Sequence, residues 1–213
     1  LLLYLSGAHM VKQELEQGYH YLPIDIKNPL LASVTTSASS ASETRFIKCI
    51  PIQLMDIGIN KKGCVYFLDL PGYGDSAGAE VDISNAVSIF RTITECKSVR
   101  PVVLISKKSL GERMKGIKEL ARILAGMLPG LKQSSESSPF TYLFTKFSDE
   151  EIKFVEGPLK DVLAKLTPEE EADDGFCHIL EDILYKVEGG IQTINPLASE
   201  KAKSILRSIF NSR

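Results

Sequence analysis

Tryptophan is absent from this 213-residue chain, histidine occurs three times and cysteine four times. No two cysteines form a CxxC pair, and no histidine stands at ligand spacing from Cys49, Cys64, Cys96 or Cys177. The usual zinc arrangements are therefore excluded. His9, His20 and His178 have no Ser, Cys or Asp at a recognisable catalytic spacing, and no nucleophile-elbow motif occurs, which argues against a triad hydrolase. An excess of positive charge is also lacking. With 25 basic and 27 acidic residues the net charge is -2, and neither a nucleic acid nor an anionic membrane is an expected partner. No stretch approaches the roughly 18 uninterrupted apolar residues of a membrane span. The opening LLLYL is too short for one and lacks the basic start of a secretory signal. Four unpatterned cysteines read as reduced thiols of a core, with a cytoplasmic location expected.

What is present is an ordinary globular composition, 44% hydrophobic and 24% charged, enough for one domain over residues 1–213. Residues 1–8 read as helix, with residues 11–17 continuing or restarting it. Residues 20–45 read as irregular, with Pro23, Pro29 and the run SVTTSASSASET; a stretch of this kind between ordered elements is either a linker or a functional loop. Strands are expected over 46–55 and 64–70, joined by a turn at 60–63. CVYFLDL is nearly all apolar, as in a strand buried on both faces.

Further strands are expected at 99–106, 140–146 and 190–195. Helices are expected at 80–97, 110–128, 158–166, 169–187 and 196–210. In the first of these helices Ile83, Val87, Phe90 and Ile93 or Thr94 fall at helical spacing. Buried strands alternating with amphipathic helices imply an α/β fold: a mostly parallel sheet, helices on both faces in three layers, and one antiparallel edge.

The sharpest local signal is Asp69-Leu70-Pro71-Gly72, in VYFLDLPGYGDSAG. An Asp at the carboxyl end of a parallel strand sits where such sheets bind ligands. It can hold Mg²⁺ directly or through water. Gly72 lets a backbone N–H approach a phosphate with no side chain in the way. The bland reading of the same residues is a Pro-Gly turn after a buried strand.

With its DxPG motif and its order of elements, the chain resembles the Ras-like P-loop GTPases, lacking their first strand. The resemblance extends over nearly all 213 residues in element order, and over short motifs only in identity. The family's phosphate-binding loop, GxxxxGK[ST], has no match in the chain. LLLYLSGA is similar to the helix that follows that loop, so the chain is expected to begin one or two residues after it. The resemblance implies Mg²⁺ as cofactor and GTP or GDP as ligand. It implies metal roles for Asp69 and Thr44, with Ser42 or Thr36 as alternatives to Thr44. It implies catalytic positioning by Gly72 and Thr44, and mobile loops at about 20–45 and 71–79.

Thr145-Lys146-Phe147-Ser148 stands where [NT]KxD would, so Thr145 and Lys146 are the expected base-binding residues. Ser148 replaces the guanine-reading Asp, and Asp149 is one residue late, which turns its side chain elsewhere. Thr193-Ile194-Asn195 lies at the place of the last, weakly specified motif. Tyr73 follows Gly72 where a water-orienting Gln would help hydrolysis, so slow turnover is expected. The acidic residue and helix after DxPGxxD resemble the septin- and immunity-associated GTPases, which implies protein partners and allows a dimer across the nucleotide face.

Two rival readings remain open. One is a pseudo-GTPase that serves as a structural or docking module. The other is a P-loop ATPase of another branch.

Overall fold

The computed structural model describes residues 1–16, 18–26, 28–34, 47–70, 79–127, 139–191 and 193–211. The chain forms two compact units, one of Leu1–Val99 with Pro196–Ser208 and one of Arg100–Asn195 with Ile209–Arg213. The architecture is α/β: two antiparallel strand pairs, a three-stranded parallel sheet, and helices.

The first unit opens with α1 (Leu2–Leu5), one turn whose Leu3, Tyr4 and Leu5 are buried. It ends where Gly7 takes a left-handed φ of 86°. The Gly7 N–H donates to the Tyr4 carbonyl at 3.1 Å and the Ala8 N–H to the Leu3 carbonyl at 3.0 Å, the paired bonds of a Schellman cap. The buried Tyr4 hydroxyl donates to the Ala198 carbonyl at 2.8 Å, and burial pushes its pKa up.

Residues after this cap correct the sequence expectation. They form a hairpin of β1 (His9–Leu15) and β2 (Gly18–Asp25), not a continued helix and an irregular loop. Val11 and Leu15 fall on one side of the strand and Lys12 and Glu14 on the other, a period of two that the short helical reading overrode. Cross-strand pairing then decides: Val11 meets Leu22, and Glu14 meets Tyr19. Tyr19 packs edge-on against Tyr21 at 5.4 Å, with the Lys12 ammonium 4.7 Å from its ring centre.

Next come β3 (Lys48–Gln53) and β4 (Cys64–Asp69), an antiparallel pair in which Ile50 faces Phe67 and Lys48 faces Asp69. Pro51 has no N–H to give, consistent with an edge position for β3. The helix α2 (Ala79–Glu95) departs from its expected packing. Its stripe of Ile83, Val87 and Phe90 is exposed, and the buried residues are Asn85 and Ile89. The last helix, α7 (Ser199–Asn211), buries Ala202, Ile205, Leu206 and Ile209, a face the spacing predicts.

The second unit is built on β5 (Val102–Ser106), β6 (Thr141–Thr145) and β7 (Thr193–Ile194), all parallel and in that order. Leu143 and Phe144 of β6 are buried, as befits a central strand. α3 (Lys115–Met127), α4 (Glu156–Leu163) and α6 (Asp174–Glu188) complete its core through Ile117, Ala121, Leu124, Leu159, Ile179 and Ile183.

α3 starts five residues later than the sequence suggests. Arg113 and Met114 both hold left-handed φ values, 53° and 58°, after Gly111 at 66°, and a helix cannot run through them. The expected helix 169–187 is likewise two pieces, α5 (Pro168–Glu171) and α6. Asp173 interrupts it by accepting the Phe176 N–H at 3.1 Å as the cap of α6. All four cysteines are free. Cys49, Cys64 and Cys96 are exposed and not core residues, and Cys177 is half-buried.

Candidate functional site

The parallel sheet sets out one row of strand ends. Ser106 of β5 is in register with Thr145 of β6, and Thr145 with Ile194 of β7, so all three strands finish together. Carboxyl ends of parallel strands are where open α/β sheets hold ligands. Thr145, half-buried, is the last residue of the central strand. Lys146 follows it, exposed, with a left-handed φ of 63°. A non-glycine residue there costs about 1–2 kcal/mol, and it turns the chain sharply out of the strand.

The chain is then caught by a reciprocal cap. The Ser148 N–H donates to Glu151 Oε2 at 3.0 Å, and the Glu151 N–H donates to Ser148 Oγ at 3.2 Å. Ser-x-x-Glu is a capping box, so Ser148 has a local structural reason to be Ser where the resemblance implies Asp. Glu151 also accepts a hydrogen bond from the Lys107 ammonium, which arrives from the end of β5. That bond first, and then the Ser148 N–H, hold the Glu151 carboxyl down to about 2. Lys107 itself opens a short turn fixed by a second reciprocal cap. There the Ser109 N–H donates to Ser106 Oγ at 3.1 Å and the Ser106 N–H to Ser109 Oγ at 2.9 Å.

Thr145, Lys146, Ser148, Glu151 and Lys107 therefore gather at one end of the second unit. Glu151 and the Lys107 contact are the members that sequence reasoning missed. The Ser148-x-x-Glu151 pattern was the signal that could have found the first. The second joins residues 44 apart and left no local trace.

Asp69 belongs to the first unit, as the last residue of β4, half-buried and in register with Lys48; it ends a strand of an antiparallel pair and not the parallel strand expected, since β4 pairs with β3 alone. Gly72 and Thr44, with Ser42 and Thr36, lie outside the described residues.

Among the described residues no group of three or more His, Cys, Asp or Glu side chains could hold a metal by itself. Mg²⁺ does not require such a cage. It keeps several waters and takes one or two carboxylates plus phosphate oxygens, so a lone Asp69 carboxylate fits a water-mediated role. A cavity of about 470 Å³ in the first unit is lined by Leu5, Ile57, Leu206, Asp56, Lys203 and Arg207 among others; none of the residues expected from the sequence borders it. Among the described residues no helix is long and apolar enough to cross a membrane. Comparison with protein-family models, curated proteins and solved structures finds no match to the chain.

Proposed function

We propose that this chain is the greater part of a Ras-like guanine-nucleotide-binding switch domain that is Mg²⁺-dependent and hydrolyses GTP slowly. The observation that carries the reading is Asp69 as the last residue of β4, at the head of the DxPG motif. That motif supplies a carboxylate for the metal of a phosphate-bound nucleotide. Two further features support it. The parallel order of β5, β6 and β7 agrees with the mostly parallel sheet the resemblance implies, while β3–β4 stands as a separate antiparallel pair and not as the edge of that sheet. Thr145 and Lys146 stand at the carboxyl end of the central parallel strand.

On this reading Asp69 orients the waters of the metal, and Thr44 closes over it. Gly72 offers its N–H to the terminal phosphate. The Lys146 stem covers the base, and the left-handed turn at Lys146 lifts it clear of the strand. Bound Mg²⁺ would neutralise charge on the phosphate oxygens. The chain's own part is positioning, and with Tyr73 after Gly72 nothing from that loop orients an attacking water as Gln does.

A second reading, a pseudo-GTPase used as a docking module, is favoured by Ser148 at the guanine-reading position.

Titration with fluorescent GTP and ATP analogues and Mg²⁺ separates the two. It should be made on the 213-residue chain and on a form carrying about 20 more natural residues upstream, the reach of one strand and a phosphate loop. The switch reading expects micromolar binding by the longer form, lost in Asp69→Ala and weakened in Lys146→Ala, with GTP displacing better than ATP. A folded longer form that binds neither nucleotide would leave the docking module as the answer.

A further inference from the structure

The helix α2 carries an apolar stripe that is exposed among the described residues. Ile83 is 65% exposed, Val87 49% and Phe90 57%, and these three lie along one line of the helix. Isolated exposed apolar residues are common on protein surfaces, but a contiguous row of three large ones marks an interaction site. Thr94 lies within the stripe, and its hydroxyl is satisfied inside the helix, as are those of Ser88 and Thr92 elsewhere on it. Ser88 donates to the Ser84 carbonyl at 2.8 Å, Thr92 to the Ser88 carbonyl at 2.8 Å, and Thr94 to the Phe90 carbonyl at 3.0 Å.

The charges that flank the stripe say what the partner is. Glu80 and Arg91 are both exposed. Among the described residues neither forms an ion pair within the chain. At 3.6 residues per turn they lie about 60° and about 80° from Ile83 on the same side of the helix, one near each end of the stripe. In an antiparallel helix pair, same-side flanks of the two helices face each other. A copy of α2 laid antiparallel about Val87 sets Ile83 against Phe90 and Phe90 against Ile83. It also brings each Glu80 to the other copy's Arg91. The surface is thus complementary to itself, the requirement for a two-fold interface.

We propose that α2 is a homodimerisation helix, pairing antiparallel with α2 of a second copy through Ile83, Val87 and Phe90 and two symmetric Glu80–Arg91 contacts. This rests on α2 alone and not on the nucleotide reading. A single helix face is smaller than the roughly 800 Å² per partner of a standard interface, so the dimer is weak and concentration-dependent.

Sedimentation equilibrium of the 213-residue chain from about 10 µM to about 1 mM, at low salt, covers that range of affinity. The expected result is a monomer–dimer equilibrium. Phe90→Glu should stay folded by circular dichroism and remain monomeric, because a charge replaces an exposed contact residue. Glu80→Lys sets two pairs of like charge together and should weaken the dimer about fivefold or more. Glu80→Lys combined with Arg91→Glu should restore it, which neither a partner of another kind nor a merely structural role would produce. A monomer at every concentration would overturn the proposal. So would a Phe90→Glu variant that dimerises normally or fails to fold, or a double swap that does not recover the dimer.

Discussion

Ser148 shows how one side chain can serve a local need and thereby set a functional limit. Its hydroxyl and N–H close a reciprocal cap with Glu151, and the Glu151 carboxylate in turn holds Lys107. Asp caps helix starts as well as Ser does. Ser148→Asp should therefore leave the second unit as stable as before, within about 0.5 kcal/mol by urea denaturation. On the nucleotide reading it should also raise the preference for GTP over ATP in competition binding, by placing a carboxylate where guanine's N–H groups are read. An unchanged preference in a variant that binds nucleotide would remove Ser148 from the base site. Glu151 itself gives a second test at this scale. Its carboxyl should titrate at about 2 when followed by carbon-13 NMR. Lys107→Ala should move that value up toward 4.5, since the Lys107 bond is the largest cause of the shift.

The elements are held by close fits that no propensity scale describes. Gly116 sits in the first turn of α3, where an added Cβ would lie 1.8 Å from the Ser109 carbonyl oxygen. That oxygen is backbone, locked in the Ser106–Ser109 turn, and cannot swing aside. Gly116→Ala should cost about 2–3 kcal/mol or more, well beyond its small helix-propensity gain, because overpacking must shift backbone. A urea midpoint at or above that of the parent chain would show that the turn yields. Gly7 makes a useful contrast: no atom lies within 4 Å of its added Cβ, so Gly7→Ala should cost only the left-handed φ, about 1 kcal/mol. A third element contact is polar and buried. Tyr142 on β6 donates to Asp182 Oδ2 on α6 at 2.9 Å, and Lys186 reaches the same oxygen at 3.0 Å. Asp182→Ala would remove the oxygen these two donors share, with Lys186 keeping the Phe140 carbonyl as an acceptor, and should destabilise by about 2 kcal/mol, whereas Tyr142→Phe removes one donor and should cost about 1 kcal/mol.

For the whole molecule, legibility in the sequence followed the length scale of the cause. Strands β3 to β6 and helices α2, α3, α6 and α7 were readable because runs of apolar residues at period 2 or 3.6 state their own structure. The β1–β2 hairpin was not, since its stability lies in pairs such as Val11–Leu22 that a local reading does not see. Nor was the exposed side of α2, because spacing gives a stripe but not what covers it. At the site, Thr145 and Lys146 were legible by motif, and the Lys107–Glu151 contact was not, being long-range.

That contact belongs to a pattern with a consequence for the molecule in acid. Among the described residues two carboxyls are held below their ordinary range, and both are in the second unit. Glu151 is held by Lys107. Glu170 is held first by Lys118 at 2.8 Å and then by the Thr167 N–H at 3.1 Å, with Arg122 at 2.7 Å adding its charge. A carboxyl whose folded pKa is depressed stabilises the fold fully above its unfolded value, and loses that contribution as pH falls through the folded one. For Glu151 the window runs from about 4.5 down to about 2. Glu170 loses its contribution in the same direction. Amide hydrogen exchange measured stepwise from pH 7 to pH 2, corrected for the intrinsic rate at each pH, should therefore show protection falling first in β5, β6 and α3, while β3–β4 and α7 hold. Glu151→Gln with Glu170→Gln should flatten that dependence without abolishing the fold at pH 7, since Gln keeps an oxygen acceptor for the Ser148 and Thr167 N–H groups. If the first unit lost protection earlier, the acid response would have to come from groups other than these two carboxylates.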